Sequence, residues 1–226
     1  MKILGLETST EICSVGLLDD EGNEWSESIV EAHVHSEKIL TITRQVFERS
    51  GTAFAELSAV AVSSGPGSFT GLRIGMSTAK GLCFALEIPL LVVPTFDGVA
   101  KMVFEKHSEI HDVVILTDAK QGDYYFQRFT RRDTKPIAFA EPTMVRKENA
   151  TKKVSMNATT LYVVDRDETH QQITAEGGKS APLADFLSGI TVAHLGLKKY
   201  LAKEFADVAS AEPMYLKDFV VKTPIR

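Results

Sequence analysis

The chain of 226 residues contains only two cysteines, Cys13 and Cys83. Each sits in an apolar stretch, so no disulfide framework is expected; they read as reduced core thiols of a cytoplasmic protein. No run of 18 apolar residues occurs, which leaves no candidate for a membrane-spanning helix. The opening MKILGLETST is too short in its apolar part, and lacks the small-residue cleavage site, for a secretory signal. A basic stripe is missing too: 25 Lys and Arg face 30 Asp and Glu, for a net charge of −5. Arg128, Arg131, Arg132, Lys135, Arg146, Lys147, Lys152 and Lys153 are scattered and read as loop or edge-strand charges. The chain is therefore not expected to hold nucleic acid by itself.

Catalytic patterns are also scarce. The turn GPGSFTG is followed by no Gly-Lys-Ser/Thr, so it is not a Walker A loop. No serine stands in a G-x-S-x-G frame, and neither Ser68 nor Thr70 has an obvious histidine base. His33 and His35 lie two apart with Glu37 nearby, yet a zinc site normally needs three or four ligands and no second cluster appears. Ser36 reads instead as the cap of the helix that follows, with Glu37 in its first turn. His107 and His111 are four apart but flank a connection. Neither a metal nor a cofactor is expected.

What is present is an ordinary globular composition, 44% hydrophobic and 24% charged, in a length that suits one large domain or two small ones. Residues 59–95 carry the strongest signal. A strand from Ala59 to Ser63 enters the turn Ser64-Gly65-Pro66-Gly67-Ser68. A helix over 70–86 and a strand from Pro89 to Val93 follow, the repeating unit of a parallel α/β sheet. The turn offers N–H groups at a helix N-terminus, so Gly65, Gly67, Ser68 and Thr70 are weak candidates for an anion site; Ser68 or Thr70 as N-cap is the plainer reading. Gly71, Gly75 and Ala79 recur every four residues on one helix face. An interior glycine costs about 1 kcal/mol against alanine, so something must approach that face closely. The opposite arc holds Leu72, Arg73, Met76, Ser77, Lys80, Cys83 and Phe84. It suits burial within the chain and contact with a partner equally well.

The first forty residues read as strands from Lys2 to Leu6, Ile12 to Leu18 and Glu24 to Ile29, joined by the turns Glu7–Thr10 and Asp19–Asn23. A helix over 37–50 ends at Gly51. Its apolar arc, including Leu40, Thr43 and Phe47, is wider than one core contact needs. In the second half, strands from Val113 to Ala119, Tyr124 to Thr130 and Leu161 to Val164 are expected. Helical patterning follows between Ala184 and Phe205.

ETSTEICSVGLL, HSEKIL, SSGPGSFTGLRIGMSTAKGL, IPLLVVPTFD, TDAKQGDYYF and AEPMYL, in this order, resemble the bacterial TsaB (YeaZ) family. The likeness covers most of residues 1–126 and a short piece near 211–217. It implies a two-lobe α/β fold of the actin-like, sugar-kinase-like (ASKHA) kind with a reduced second lobe, divided at about 1–97 and 98–226. It also implies a non-catalytic relative of TsaD that helps form threonylcarbamoyladenosine beside the tRNA anticodon. Its implied partners are a TsaD-like protein, a TsaE-like ATPase through the complex, a second copy of itself when alone, and tRNA only through the complex. The fold's first phosphate loop would be Glu7–Thr10, where the family's usual aspartate is Glu7. The second would be the hairpin turn with Asp118 and Gly122. On this reading Leu40, Thr43, Phe47, Arg73, Met76, Ser77 and Lys80 form the partner surface. The alternatives are a stand-alone actin-like ATPase, kinase or peptidase, or an adaptor that binds nucleotide only in the complex.

Overall fold

A computed structural model describes residues 1–31, 34–133 and 135–216. Its first sheet is built from β1 (Lys2–Glu7), β2 (Ile12–Asp19), β3 (Glu24–Val30), β4 (Ala59–Ser63) and β5 (Leu90–Val93), in the order β3-β2-β1-β4-β5. The first three strands are antiparallel neighbours and the last two join β1 in parallel. Helices α1 (His35–Ser50) and α2 (Phe69–Leu86) supply the crossovers. Both pack on one face of this sheet, against Leu4, Leu6, Val60 and Val62.

The second sheet repeats this plan. Strands β6 (Asp112–Asp118), β7 (Asp123–Arg132), β8 (Lys135–Ala138), β9 (Thr143–Arg146), β10 (Thr160–Val164) and β11 (Lys179–Pro182) run in the order β11-β10-β6-β7-β8, with β9 also paired to β7. Again the hairpin strands are antiparallel and the last two parallel. Two halves of one strand order are the actin-like, two-lobe arrangement that the family resemblance implied. The reduction of the second lobe lies in its helices: α4 (Lys147–Ala150) has 4 residues where α1 has 16, and α5 (Asp167–Ala175) has 9 where α2 has 18.

The lobes exchange helices. Helix α3 (Thr95–Lys106) leaves the first sheet and buries Phe96, Val99, Ala100, Val103 and Phe104 against Val113, Ile115, Phe129 and Val163 of the second. Arg131 holds the far end of α3 by donating to the carbonyls of Phe104 and His107. Helix α6 (Gly189–Leu201) makes the return journey. It packs on the free face of the first sheet, with Val192 and Ala193 against Ile3, Ala61 and Leu91. Glycine makes this approach possible: a Cβ on Gly16 or Gly189 would collide with backbone of the other element. Residue 97, the expected division, lies inside α3, and α6 packs on the first sheet although it follows the second in the chain. The first lobe takes 189–201 from the end of the chain, and the second takes α3.

Two helix starts differ from expectation. Helix α1 begins at His35 with Val34 at its N-cap and no side-chain cap, so Ser36 lies inside it. Helix α2 begins at Phe69, and Ser68 caps it by accepting the Gly71 N–H at 3.3 Å. Buried His35 contacts the Ile12 carbonyl oxygen through Nε2 at 3.2 Å. His33 lies outside the described residues. Among the described residues no group of three His, Cys, Asp or Glu is placed to hold a metal.

Candidate functional site

The turn after β1 is where the family resemblance expects the first phosphate loop, and the chain's own atoms cover it. Glu7, Thr8 and Ser9 are all buried. The N-terminus of α2 is stapled onto them: Ser68 N–H donates to the Ser9 carbonyl at 2.6 Å. A Cβ on Gly67 would strike Ser9, and one on Gly71 or Gly75 would strike Thr8. The glycines thus serve close packing, but their neighbour is the hairpin turn rather than the sheet face or another helix. The turn's donors are used as well. Gly65 N–H donates to Thr95 Oγ1 at 3.0 Å and Gly71 N–H to Ser68 Oγ. Together with Ser68, three of the groups an anion would need already have acceptors. Thr70 is exposed in the first turn and is not the cap.

Glu7 ends β1 within this packing. Its Oε1 accepts from Ser9 N–H at 2.7 Å and from Ser63 Oγ at 3.1 Å. Burial pushes its carboxyl above the ordinary value, against those hydrogen bonds. Asp118 is its counterpart at the end of β6 and behaves oppositely. Burial raises it, but hydrogen bonds from Lys120, Arg166 and Lys147 outweigh burial and hold it well below the ordinary carboxylate range. Lys120, Lys147 and Arg166 stand 3.1, 3.3 and 2.5 Å away. The turn N–H of Asp118 donates to Asp165 Oδ2 at 2.9 Å, tying β6 to β10. Asp118 is thus the anchor of an ion-pair network; Lys147, read from the sequence as a scattered charge, and Asp165 and Arg166, which the sequence did not single out, complete it.

This network has a pH signature. A carboxyl depressed in the fold contributes stability that is present above the unfolded value of about 3.9 and is lost as pH falls through the folded one. Asp118→Asn is expected to lower stability at neutral pH by about 1 kcal/mol, because solvent screens partners this exposed. The gap to the parent chain should close as urea melts are repeated below pH 4. A gap that stayed constant to low pH would show that Asp118 acts by packing alone.

The outward faces of α1 and α2 are the other candidate. Of the expected partner-surface residues, Leu40, Arg73 and Ser77 are exposed and Lys80 is half-buried. Thr43, Phe47 and Met76 are not available. Met76 and Phe47 are 3% and 4% exposed within the first core, and Thr43 donates back to the Ile39 carbonyl. Helix α2 turns its Gly71, Leu72, Gly75, Met76, Ala79 and Cys83 inward. That stripe is rotated from the one that spacing of glycines suggested. Phe84 is 82% exposed and Leu40 61%. Phe84 lay on the same arc as the expected residues, and its place beside the cations of that arc was the signal for it.

A strap from the end of the chain covers one flank of α2. Ala206 N–H donates to the Leu90 carbonyl, extending the edge of β5, and Met214 N–H donates to the Ser64 carbonyl at 2.7 Å. Between them Lys80 Nζ holds the carbonyls of Ala209 and Ala211. Arg73 Nε donates to the Tyr215 hydroxyl at 3.0 Å and lies over the Phe69 ring. The two cations are therefore engaged with the chain's own strap. A serine–histidine contact exists at Ser180 Oγ and His170 Nδ1, 2.8 Å apart, but the serine also contacts the His170 carbonyl and ties α5 to β11.

Residues 29–223 match the family model described as TsaD, tRNA N6-adenosine threonylcarbamoyltransferase. The chain is 34% identical over 149 residues to the tRNA threonylcarbamoyladenosine biosynthesis protein TsaB of Escherichia coli K12, a match spanning 63% of this chain and 61% of that protein. It is 28% identical over 228 residues to the TsaB of Haemophilus influenzae, spanning 97% and 95%. The structure of YeaZ from Pseudomonas aeruginosa superposes with a TM-score of 0.81 at 23% identity, over 95% of this chain and 99% of that one. Because the family match runs from the third strand of the first sheet through both lobes and the strap, the chain belongs to the TsaD family, among whose members its relatives carry the name TsaB.

Proposed function

We propose that this chain acts in tRNA threonylcarbamoyladenosine biosynthesis as a non-catalytic scaffold subunit. The partner is a TsaD-like transferase, which docks on the outward faces of α1 and α2. A TsaE-like ATPase joins through the complex, the same surface lets the chain pair with itself when alone, and tRNA is met only through the assembly, in the cytoplasm. The observation that carries this reading is the contrast between the two candidate sites. The first phosphate-loop turn is packed beneath α2, whereas Leu40 and Phe84 stand exposed on the neighbouring helices. The residues proposed for contact are Leu40, Arg73, Ser77, Lys80 and Phe84, with Arg73 and Lys80 acting through the strap. A stable interface of this kind buries about 1,600 Å2 in total.

Gel filtration with the TsaD-family transferase of the same organism tests the proposal. The wild-type chain is expected to co-elute with it. Leu40→Asp combined with Phe84→Asp is expected to weaken the complex at least ~100-fold, since apolar anchors dominate such interfaces, while its circular dichroism stays that of the parent. Undiminished co-elution of the double variant would remove α1 and α2 as the docking face. A stand-alone ATPase would instead bind ATP by calorimetry without any partner.

A further inference from the structure

Glu7, Thr95, Gly98, Ser188 and Thr191 border a crevice where the β5–α3 passage, the start of α6 and the end of β1 meet. Both crossings of the chain between the lobes thus pass this point. The space open there to the centre of a water molecule is about 10 Å3, which is the room one water needs. Val93, Pro94, Phe186, Leu187 and Val192 complete the walls, and the polar groups set among them are complementary. Thr191 is 2% exposed and its Oγ1 has no hydrogen-bond partner among the described residues. Glu7 is equally buried, and a carboxyl group accepts more hydrogen bonds than the two its Oε1 receives from Ser9 and Ser63. Thr95 Oγ1 accepts from Gly65 N–H and Ser188 Oγ from Ile190 N–H, so each hydroxyl retains a proton to donate. An acceptor and several donors face a gap that they do not bridge directly.

We infer that a single ordered water occupies this crevice, donating to the Glu7 carboxyl and accepting from the Thr191 hydroxyl. It pins β1 of the first lobe to α6 and α3, the two elements that carry the chain between lobes. The water satisfies an otherwise orphaned hydroxyl, which burial makes costly to leave alone. This site is independent of the docking face and stands or falls without it.

Thr191→Val separates a wet crevice from a dry one, because valine keeps the shape and removes only the hydroxyl. If the water is present, the variant loses one of its ligands and the Tm falls below that of the wild type. If the crevice is dry, removing an orphaned hydroxyl raises the Tm. Gly98→Ala is the second variant. A Cβ there would meet the Thr191 methyl at 3.7 Å and Leu195 Cδ1 at 3.9 Å, ordinary contacts, while taking up space in the crevice. The Tm is expected to fall although alanine is the better helix former. A crystal structure of the full chain should show water density within about 3 Å of both Glu7 and Thr191 Oγ1. An empty crevice in those crystals, or a Tm at or above the wild type's in either variant, overturns the inference.

Discussion

Met76→Glu is expected to destabilise the chain strongly rather than to probe its surface. Met76 lies on the inward stripe of α2, 3% exposed, in the core that joins α1, α2 and the first sheet. The surrounding residues of that core, among them Ile39, Ile42, Val62 and Ala79, offer apolar contacts. A carboxylate there has to be neutralised or drag water inward, at a cost of about 4 kcal/mol. Domains of this kind have roughly 5–15 kcal/mol in hand, so a quarter or more of the margin goes. Thermal unfolding should show a large drop in Tm or no cooperative transition at 25 °C. Met76→Leu, which conserves volume, should stay within about 1.5 kcal/mol of the parent. A Met76→Glu chain as stable as the parent would mean that α2 turns a different stripe inward.

Gly71→Ala should destabilise by about 3 kcal/mol, the upper range for overpacking, although helix propensity alone would make it stabilising by about 1 kcal/mol. The added methyl meets the Thr8 carbonyl, and backbone cannot swing aside as a flexible side chain can. Gly81 sits in the same helix with nothing among the described residues within 4 Å of the position of a Cβ. Gly81→Ala should therefore stabilise by about 0.5–1 kcal/mol. Urea melts of the two variants compare one substitution in one helix with opposite signs. Equal shifts would show that the glycines matter only for chain entropy, and that α2 is not stapled to the hairpin turn.

Much of the fold was legible in the sequence. β4 is found at Ala59–Ser63 as read, and the first hairpin, β6, β7 and β10 differ from expectation by a residue or two at their ends. These segments combine apolar runs with strong turn chemistry, so local signals and tertiary packing agree. Helices α3 and α5 and strands β8, β9 and β11 were not read. Strands of 4 residues such as β8 and β11 are too short to show a period. Helix α3 is apolar on the faces it turns to two lobes at once, and its role becomes visible only when the second sheet is in place. The exchange of α3 and α6 between lobes is a long-range fact with no local signature.

The site was legible in part. Close packing by Gly71 and Gly75 followed from their spacing, but which surface they approach did not. A 100° step per residue places Met76 and Arg73 on one arc, yet the sheet draws Met76 inward and leaves Arg73 to the strap. The boundary between inward and outward residues on an amphipathic helix is set by its rotation against the sheet, and small residues that permit close approach decide that rotation. Asp118 was read as the residue of a hairpin turn, and the turn is there. Lys120 comes from that turn, but Lys147 and Arg166 follow β9 and β10, too distant in sequence to be paired with it beforehand.

Reconstituted threonylcarbamoyladenosine formation tests the central claim most directly. The TsaD-family transferase of the same organism is supplied with threonylcarbamoyl-adenylate, its ATPase partner and tRNA, with and without this chain. The scaffold account expects modification to require the wild-type chain, to be lost with the Leu40→Asp, Phe84→Asp variant, and to be retained with Asp118→Asn, which alters an ion-pair network and not the docking face. Full modification with the docking variant, or its loss with a folded Asp118→Asn chain that still binds the transferase, would contradict the account and return a chemical role to the second turn.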